Sequence, residues 1–138
     1  MQETRLKMLD FPIGVDRLRN VLIHIDAEEE LISLYERSLA PAHQARLAAL
    51  LNQRFRFLSE HLAQENVQKE WFEILKNVNN PSMRSMKLKV SPPIGNLRLI
   101  YVIVDKHAVI LCAFIDRRTS DYRHAIEIAR KRYEDTFE

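Results

Sequence analysis

Glycine is scarce in this chain of 138 residues, which contains only Gly14 and Gly95. Loops that cradle phosphate through backbone amides need several glycines in close succession, as in the GxGxxG and GxxxxGKS patterns. Neither pattern occurs in the sequence. The scarcity argues against a dinucleotide-binding or nucleoside-triphosphate-binding loop, and we expect no cofactor.

Cysteine is almost absent too, because Cys112 is the only one. A single cysteine excludes an internal disulfide and fits a reducing compartment. It is flanked by Leu111 and Ala113, so we interpret it as a core thiol. The opening residues, MQETRLKMLDFPIG, mix charges and a proline with apolar residues and lack the core of a signal peptide. We therefore expect a cytoplasmic protein.

Long apolar runs are also missing. The longest candidate, residues 97–114, is broken by Asp105, Lys106 and His107, and no stretch reaches the roughly 18 residues that span a membrane. With 46% hydrophobic residues the chain can still bury one core. We predict an N-terminal arm over residues 1–19, closed by Pro12 and Gly14, followed by a single domain over residues 20–138 that does not enter a membrane.

The chain as a whole has no large excess of either charge, since its net charge is +2. Residues 1–80 hold 10 Lys and Arg against 12 Asp and Glu, whereas residues 81–138 hold 11 against 7. The overall field is too weak to indicate a nucleic-acid partner, but the basic charge is concentrated in the C-terminal part.

The first half of the domain has helical patterning. A short strand is predicted over Val21 to Ile25, and Asp26 with Glu29 resembles a capping box that opens a helix. Pro41 suits the first turn of a second helix. The apolar stripe of that helix recurs at steps of three and four residues: Leu47, Leu51, Phe55, Leu58 and Leu62. A homodimer formed through this stripe is one interpretation of the pattern. A third helix is predicted over VQKEWFEILKNV, residues 67–78, and ends before Pro81.

The second half has the residue pattern of β-strands. Met86, Leu88 and Val90 alternate with lysines, as in a half-buried strand. A turn is predicted around Pro92-Pro93 and Gly95-Asn96, and residues 97–114 then predict a hairpin. A last helix opens at Thr119 or Ser120. The order of elements predicts an α+β fold, with an N-terminal strand and two or three helices packed on a small twisted antiparallel sheet and a helix at the C-terminus.

The spacing of the histidines and serines gives little support for a metal site or for a nucleophilic active site. The five histidines, which show no metal-ligand spacing, are His24, His43, His61, His107 and His124. We expect no metal site, and we interpret His24, close to Asp26, as a strand-edge residue. No serine is surrounded by the glycines of a nucleophile elbow.

Cationic side chains gather near the predicted hairpin. Lys87 and Lys89 share one face of a strand and would lie beside Arg98 if the strand register allows it. Arg117 and Arg118 follow the last strand. Such a cluster can hold RNA phosphates and can stabilise the charge that builds when a 2′-oxygen attacks phosphorus.

Two further residues of the last helix belong to this hypothesis. Tyr122 can stack on a base or assist proton transfer, and Arg123 is a candidate for substrate binding together with the two lysines. The plainer interpretation is that the basic side chains are solvated and that Tyr122 belongs to the apolar stripe of its helix.

The last third of the chain resembles the RelE/ParE superfamily of bacterial toxins, in its phage-derived, Gp49-like or HigB-like branch. The resemblance is carried by NLRLIYVIVDKHAVILCAFIDRRTSDYRHAIEIARKRYED and covers about residues 86–135. The positions that match are Arg98, Tyr101, Phe114, Arg117, Arg118, Ala129 and Arg132. The first half agrees in the order of its elements.

The resemblance implies a toxin of a type II toxin-antitoxin system that is neutralised by a cognate antitoxin protein. Many members cut messenger RNA on the ribosome without a metal, and the resemblance implies that Arg98 and the Arg117-Arg118 pair bind the phosphate. With Tyr122, which the residue pattern of the last helix suggests, they make up the catalytic set that we predict. Members of the ParE type inhibit gyrase instead, and an inactive, phage-derived interaction protein is a further alternative. The chain departs from the pattern in its N-terminal arm, its longer helical half, and Asp116 between Phe114 and the basic pair.

Overall fold

A computed structural model describes residues 5–11, 14–62, 72–75, 78, 81–91 and 95–138. Within these ranges, six strands and three helices follow one another along the chain. They are β1 (Leu6–Met8), β2 (Val21–His24), α1 (Ile25–Ser38), α2 (Pro41–Glu60), β3 (Phe72–Ile74), β4 (Arg84–Ser91), β5 (Gly95–Val104), β6 (His107–Asp116) and α3 (Thr119–Phe137). The predicted α+β class is confirmed, including the N-terminal strand before the helices and the C-terminal helix.

The strands form one sheet in the order β1-β2-β6-β5-β4-β3. Neighbouring strands are antiparallel except β2 and β6, which run parallel. The sheet is therefore mixed, because β6 comes to lie beside β2 only after the chain has passed through α1, α2 and strands β3 to β5. This arrangement puts β6, which leads into α3, in the middle of the sheet.

The central hairpin β5–β6 closes through a turn at Asp105 and Lys106. Both residues have positive φ angles, 50° and 63°. Two successive residues in this left-handed region give a turn whose twist matches that of the strands, although glycine or asparagine adopts it more readily than lysine does. The polar break that the sequence showed at this place is therefore a tight hairpin turn.

Apolar side chains pack on both faces of the sheet. Helices α1 and α2 cover one face with fully buried residues that include Leu31, Leu47, Leu51 and Phe55 against Met86, Leu88 and Leu99. Helix α3 covers the other face through Ala125 and Ala129, which pack with Ile100, Val109 and Leu111. Each large apolar side chain buried in this way contributes about 1.5–3 kcal/mol. The two layers hold the hairpin rigidly between them.

The helices of the first half begin close to the predicted positions. Helix α2 has Pro41 as its first residue, and its predicted stripe faces the core. Within the chain this stripe therefore packs against the sheet. The predicted capping box of Asp26 and Glu29 is wrong, because α1 begins at Ile25 and His24 is its N-cap. The Nδ1 atom of His24 accepts a hydrogen bond of 3.0 Å from the backbone N–H of Asp26.

The third predicted helix is wrong where the structure describes it. Phe72–Ile74 is a strand that pairs with β4, and the N–H of Leu75 donates to the carbonyl of Met83 over 2.9 Å. Pairing with a distant strand has overridden the local helical periodicity, which is common for short segments. Residues 67–71, 76 and 77 of that prediction lie outside the described residues, as does most of the turn predicted around Pro92-Pro93.

Part of the predicted N-terminal arm belongs to the folded unit. Strand β1 pairs with β2 at the edge of the sheet, and Leu9 and Val15 are buried in the core. The side chain of Asn52 in α2 accepts from the N–H of Asp16 and donates to the carbonyl of Gly14. The segment is thus tied to both the sheet and α2.

None of the helices in the described part of the chain combines the length and the apolar character needed to cross a membrane.

Candidate functional site

An open cleft of about 720 Å³ lies where β6 ends and α3 begins. Its lining combines basic, acidic and apolar side chains: Arg117, Arg118, Arg123, Glu73, Asp116, Leu75, Tyr122 and Ile126, with Thr119. The volume is within the usual range for a small-molecule or nucleotide site. Four of the residues predicted from the sequence, the basic pair with Tyr122 and Arg123, are brought together here.

The corner that carries the basic pair is fixed by Asp121 in the first turn of α3. Its carboxylate accepts from the backbone N–H of Arg118 over 2.9 Å and from that of Arg117 over 3.2 Å. The hydrogen bond from Arg118, followed in size by the one from Arg117, lowers the pKa of the Asp121 carboxyl. Because the carboxylate caps the backbone, the exposed side chains of the two arginines are carried on a fixed support.

Arg98 contacts three residues that line the cleft, Asp116, Glu73 and Tyr122, and is itself largely buried. Its Nε donates to a carboxylate oxygen of Asp116 over 2.6 Å, and its Nη1 lies 3.9 Å from Glu73. Its guanidinium carbon is 5.0 Å from the ring centroid of Tyr122, a cation–π distance. The charge of Arg98 is therefore partly balanced inside the protein, whereas the arginines of the corner are exposed.

Tyr122 is half-buried between the sheet and the cleft. Its ring packs edge-on against Phe114 with centroids 5.5 Å apart, and its hydroxyl lies 3.5 Å from a carboxylate oxygen of Glu73. Burial is the main cause that raises the pKa of Tyr122, and the charge of Glu73 adds to it. The phenol therefore keeps its proton at neutral pH and can donate it.

The two lysines extend the basic surface along the sheet. Lys87 on β4 stands directly opposite Arg98 on β5, and Lys89 stands opposite Asn96. The register left open by the sequence thus puts Lys87 beside Arg98, on the face that α3 covers. Lys89 is exposed and Lys87 is partly buried, and both flank the cleft without lining it.

The carboxylates of the cleft were missed or undervalued by sequence reasoning. Glu73 fell within a segment predicted as helix, so nothing placed it next to Arg98. Asp116 was noted as a departure from the family pattern, but its contact with Arg98 depends on the pairing of β5 and β6. Only the strand register, which the sequence does not specify, indicates that these acids meet a predicted basic residue.

A second polar cluster covers the edge of β6 beyond the end of β2. Arg132 of α3 forms a two-pronged ion pair with Glu30 of α1, at 2.8 and 2.9 Å. The same two side chains bond the strand edge, because Arg132 donates to the carbonyl of Leu111 and Glu30 accepts from the N–H of Ala113. Arg132, a residue of the resemblance, thus has a structural position far along α3 from the cleft.

Cys112 lies in the buried layer between β6 and α3, as its apolar neighbours predicted. Burial, with a smaller effect of the Glu30 carboxylate, raises the pKa of the Cys112 thiol to about 12. A thiol with such a pKa is protonated at neutral pH and is a poor nucleophile.

His24 is the last residue of β2 and the buried N-cap of α1. Burial is the largest of the effects that lower its pKa, so the ring is neutral at pH 7. Across the described ranges, no three side chains of the His, Cys, Asp or Glu type converge as they would to hold a metal ion.

Comparison of the chain with known protein families, with curated proteins and with solved structures found no match. The functional argument therefore starts from the chemistry of the cleft.

Proposed function

We propose that this protein is the toxin of a type II toxin-antitoxin system, and that it acts in the cytoplasm as a metal-independent, ribosome-associated endonuclease of messenger RNA. The observation that supports the proposal is a cleft lined by two exposed arginines and a protonated phenol, with a third arginine, Arg98, packed against that phenol. These groups lie on the segment that resembles the RelE/ParE superfamily.

The reaction requires charge stabilisation more than a strong nucleophile of the protein. When the 2′-oxygen of the substrate attacks the neighbouring phosphorus, negative charge builds on the phosphoryl oxygens. Arg117 and Arg118 are exposed on a capped corner, where their guanidinium groups can bind these oxygens. Arginine suits this role because its planar fork of donors matches a phosphate group.

Tyr122 is proposed as the proton donor to the departing 5′-oxygen. Its pKa is raised by burial, so the hydroxyl carries a proton at neutral pH. In this scheme the bond from phosphorus to the 5′-oxygen breaks as the bond to the 2′-oxygen forms. The 2′-hydroxyl proton passes to water, and the Tyr122 phenolate then recovers a proton from water. The products are a 2′,3′-cyclic phosphate and a 5′-hydroxyl end. Arg98 would hold the phenol ring through its cation–π contact and add positive potential from below.

The remaining basic side chains are proposed to guide the RNA strand to the cleft. Lys87 and Lys89 continue the positive surface along β4, and Arg123 extends it on the exposed side of α3. Contacts to phosphates position a strand without reading its sequence. A cognate antitoxin that covers this surface would neutralise the toxin by competing with the RNA.

The test is induced expression in a bacterial host, with mapping of transcript ends. The proposal predicts growth arrest together with new 5′-hydroxyl ends in messenger RNA. Growth arrest with intact transcripts would rule out the nuclease activity, and expression without any arrest would rule out the role as a toxin.

A second candidate is favoured by the ion pair of Arg98. Since Asp116 already binds this guanidinium at 2.6 Å, the cleft has less positive charge to offer than its arginines suggest. A protein that uses the same fold as a gyrase inhibitor or as an inactive interaction protein tolerates such balancing. Arrest with DNA damage and unbroken messenger RNA would favour the gyrase inhibitor.

A further inference from the structure

Glu73 places a carboxylate on the wall of the proposed RNA cleft. Its side chain is 55% exposed, and its polar contacts with the described part of the chain are long, 3.5 Å to the Tyr122 hydroxyl and 3.9 Å to Nη1 of Arg98. A hydrogen bond of full strength is about 2.7–3.0 Å long, so neither contact saturates the carboxylate. Most of its acceptor capacity faces the cleft.

A carboxylate at this place works against the binding of a polyanion. Like charges repel, and the cost is recovered only if the carboxylate accepts hydrogen bonds from the ligand. The phosphates of RNA offer acceptors only, so the neutral donors are the 2′-hydroxyls and the bases. A 2′-hydroxyl offers a single donor, whereas a base edge can offer two donors side by side, which a carboxylate with two free oxygens can accept together. The position of Glu73 is therefore suited to contact a base, while Arg117 and Arg118, which line the same cleft, contact the backbone.

We propose that Glu73 selects a guanine next to the cleaved bond, an inference that rests on the RNA substrate of the proposed function. The Watson–Crick edge of guanine presents two neighbouring donors, N1–H and the N2 amino group. They match the two oxygens of one carboxylate. Adenine and cytosine each present a donor beside an acceptor, and uracil presents a donor between two acceptors. Only guanine pairs with both oxygens without a repulsive contact.

The rest of the cleft fits a base in this orientation. Leu75, Ile126 and the ring of Tyr122 provide an apolar surface beside Glu73 against which a base can pack. Aromatic and apolar side chains commonly support the bases of single-stranded RNA in this way. The volume of about 720 Å³ leaves room for the sugar and phosphate between this surface and Arg117.

The experiment measures the affinity of the full chain for two short oligouridines, one with a single central guanosine and one with adenosine at that place. We expect the wild-type protein to bind the guanosine oligonucleotide about tenfold more tightly, in line with one two-pronged contact to a base. In Glu73→Gln the side chain offers one donor and one acceptor, the pattern that complements adenine. We expect this variant to bind the adenosine oligonucleotide at least as tightly as the other.

The matched control is Glu127→Gln, which removes the same charge from an exposed position of α3 outside the cleft. It should keep the preference for guanosine. Circular dichroism of each variant confirms that the fold is retained.

The outcomes separate this inference from the nuclease. Equal binding of the two oligonucleotides by the wild type, or an unchanged preference in Glu73→Gln, would overturn it. A preference for guanosine that follows Glu73, in a protein that leaves transcripts intact, would support the inference and remove the nuclease. Cleavage of transcripts without preference for guanosine would do the reverse.

Discussion

The guanidinium of Arg98 donates to the carboxylate of Asp116 across the pair of strands β5 and β6, with 2.6 Å between Nε and the acceptor oxygen. The two side chains are only 15% and 19% exposed. A charge-assisted hydrogen bond in such a setting is stronger than an ion pair in open solvent. This pair holds Asp116 in the lining of the cleft and reduces the positive charge available there.

Replacement of Asp116 by Asn should therefore separate stability from binding. Loss of the charge-assisted bond lowers the free energy of unfolding by about 1–2 kcal/mol, whereas the removal of one negative charge strengthens binding of an RNA oligonucleotide severalfold. Urea denaturation and fluorescence anisotropy measure the two effects. The exposed Asp135→Asn variant should change the free energy of unfolding by less than about 0.5 kcal/mol. An Asp116→Asn protein as stable as the wild type would contradict the structural role of the pair.

Arg132 should be needed for stability and not for the chemistry of the cleft. Its guanidinium donates to both oxygens of Glu30 and to the carbonyl of Leu111. Arg132→Ala removes all three bonds, although Oε1 of Glu30 keeps a second donor, the N–H of Ala113. We expect a loss of about 2–3 kcal/mol in the free energy of unfolding, measured by urea denaturation. Arg132→Lys should recover only part of it, because an ammonium group cannot form the two-pronged pair.

The control for this prediction is Arg130→Ala, two positions away and exposed. It should have little effect on stability. Equal effects of the two alanine substitutions would show that the Glu30 pair contributes nothing measurable.

Cys112 should make the protein sensitive to high pH. Its folded pKa is raised to about 12 from an ordinary value of 9.0, so the unfolded thiol ionises first as the pH rises. The free energy of unfolding is unaffected below about pH 9 and falls between about pH 9 and 12. By pH 11 the loss from this group is about 2–3 kcal/mol.

The check is the free energy of unfolding of the wild type and of Cys112→Ala, measured from pH 8 to 11. The substitution costs some packing at every pH, but the difference between the two proteins should shrink as the pH rises. A constant difference would contradict burial as the cause of the raised pKa.

The fold was predictable from the sequence where the burial pattern is local. The stripe of α2 and the alternation of Met86, Leu88 and Val90 report their faces directly, and both are buried as predicted. The strand at Phe72–Ile74 was not predictable in this way, because its three residues are strand only through pairing with β4. The cap of α1 was missed because a histidine ring nitrogen takes the place of the usual hydroxyl or carboxylate.

The candidate site was predictable in its basic part and not in its acidic part. Arg117 and Arg118 are found from their place between the last strand and the last helix. Glu73 and Asp116 acquire their importance from register and from a distant strand pairing, which a single sequence does not encode in any local pattern. The position of Lys87 directly opposite Arg98 also depends on strand register, in this case that of β4 and β5.

The hairpin turn offers a stabilising substitution. Lys106 has a φ angle of 63°, a conformation in which a Cβ atom is crowded by the backbone. Lys106→Gly removes the crowding and should raise the free energy of unfolding by about 0.5–1 kcal/mol. Lys106→Ala, which keeps the Cβ atom, is the control and should give no gain. Thermal unfolding of the three proteins decides between them, and equal melting temperatures would contradict strain at this turn.

The two exposed arginines of the corner should act through their place in the cleft and not through their charge alone. The variant that carries Arg117→Ala and Arg118→Ala loses two phosphate contacts. Its binding of single-stranded RNA should therefore depend less on salt, with a slope of log affinity against log salt that is shallower by about 1.4. Arg130→Ala with Lys131→Ala removes the same charge from an exposed part of α3 outside the cleft and serves as the matched control.

The most direct measurement is the mapping of 5′-hydroxyl ends in messenger RNA after induced expression of the wild type, of the Arg117→Ala and Arg118→Ala double variant, and of the Arg130→Ala and Lys131→Ala control. We predict growth arrest with new transcript ends for the wild type and the control, and loss of both effects in the Arg117→Ala and Arg118→Ala variant at equal protein level. Transcripts that stay intact while the wild type arrests growth, or cleavage that survives the loss of both arginines, would contradict the proposed nuclease.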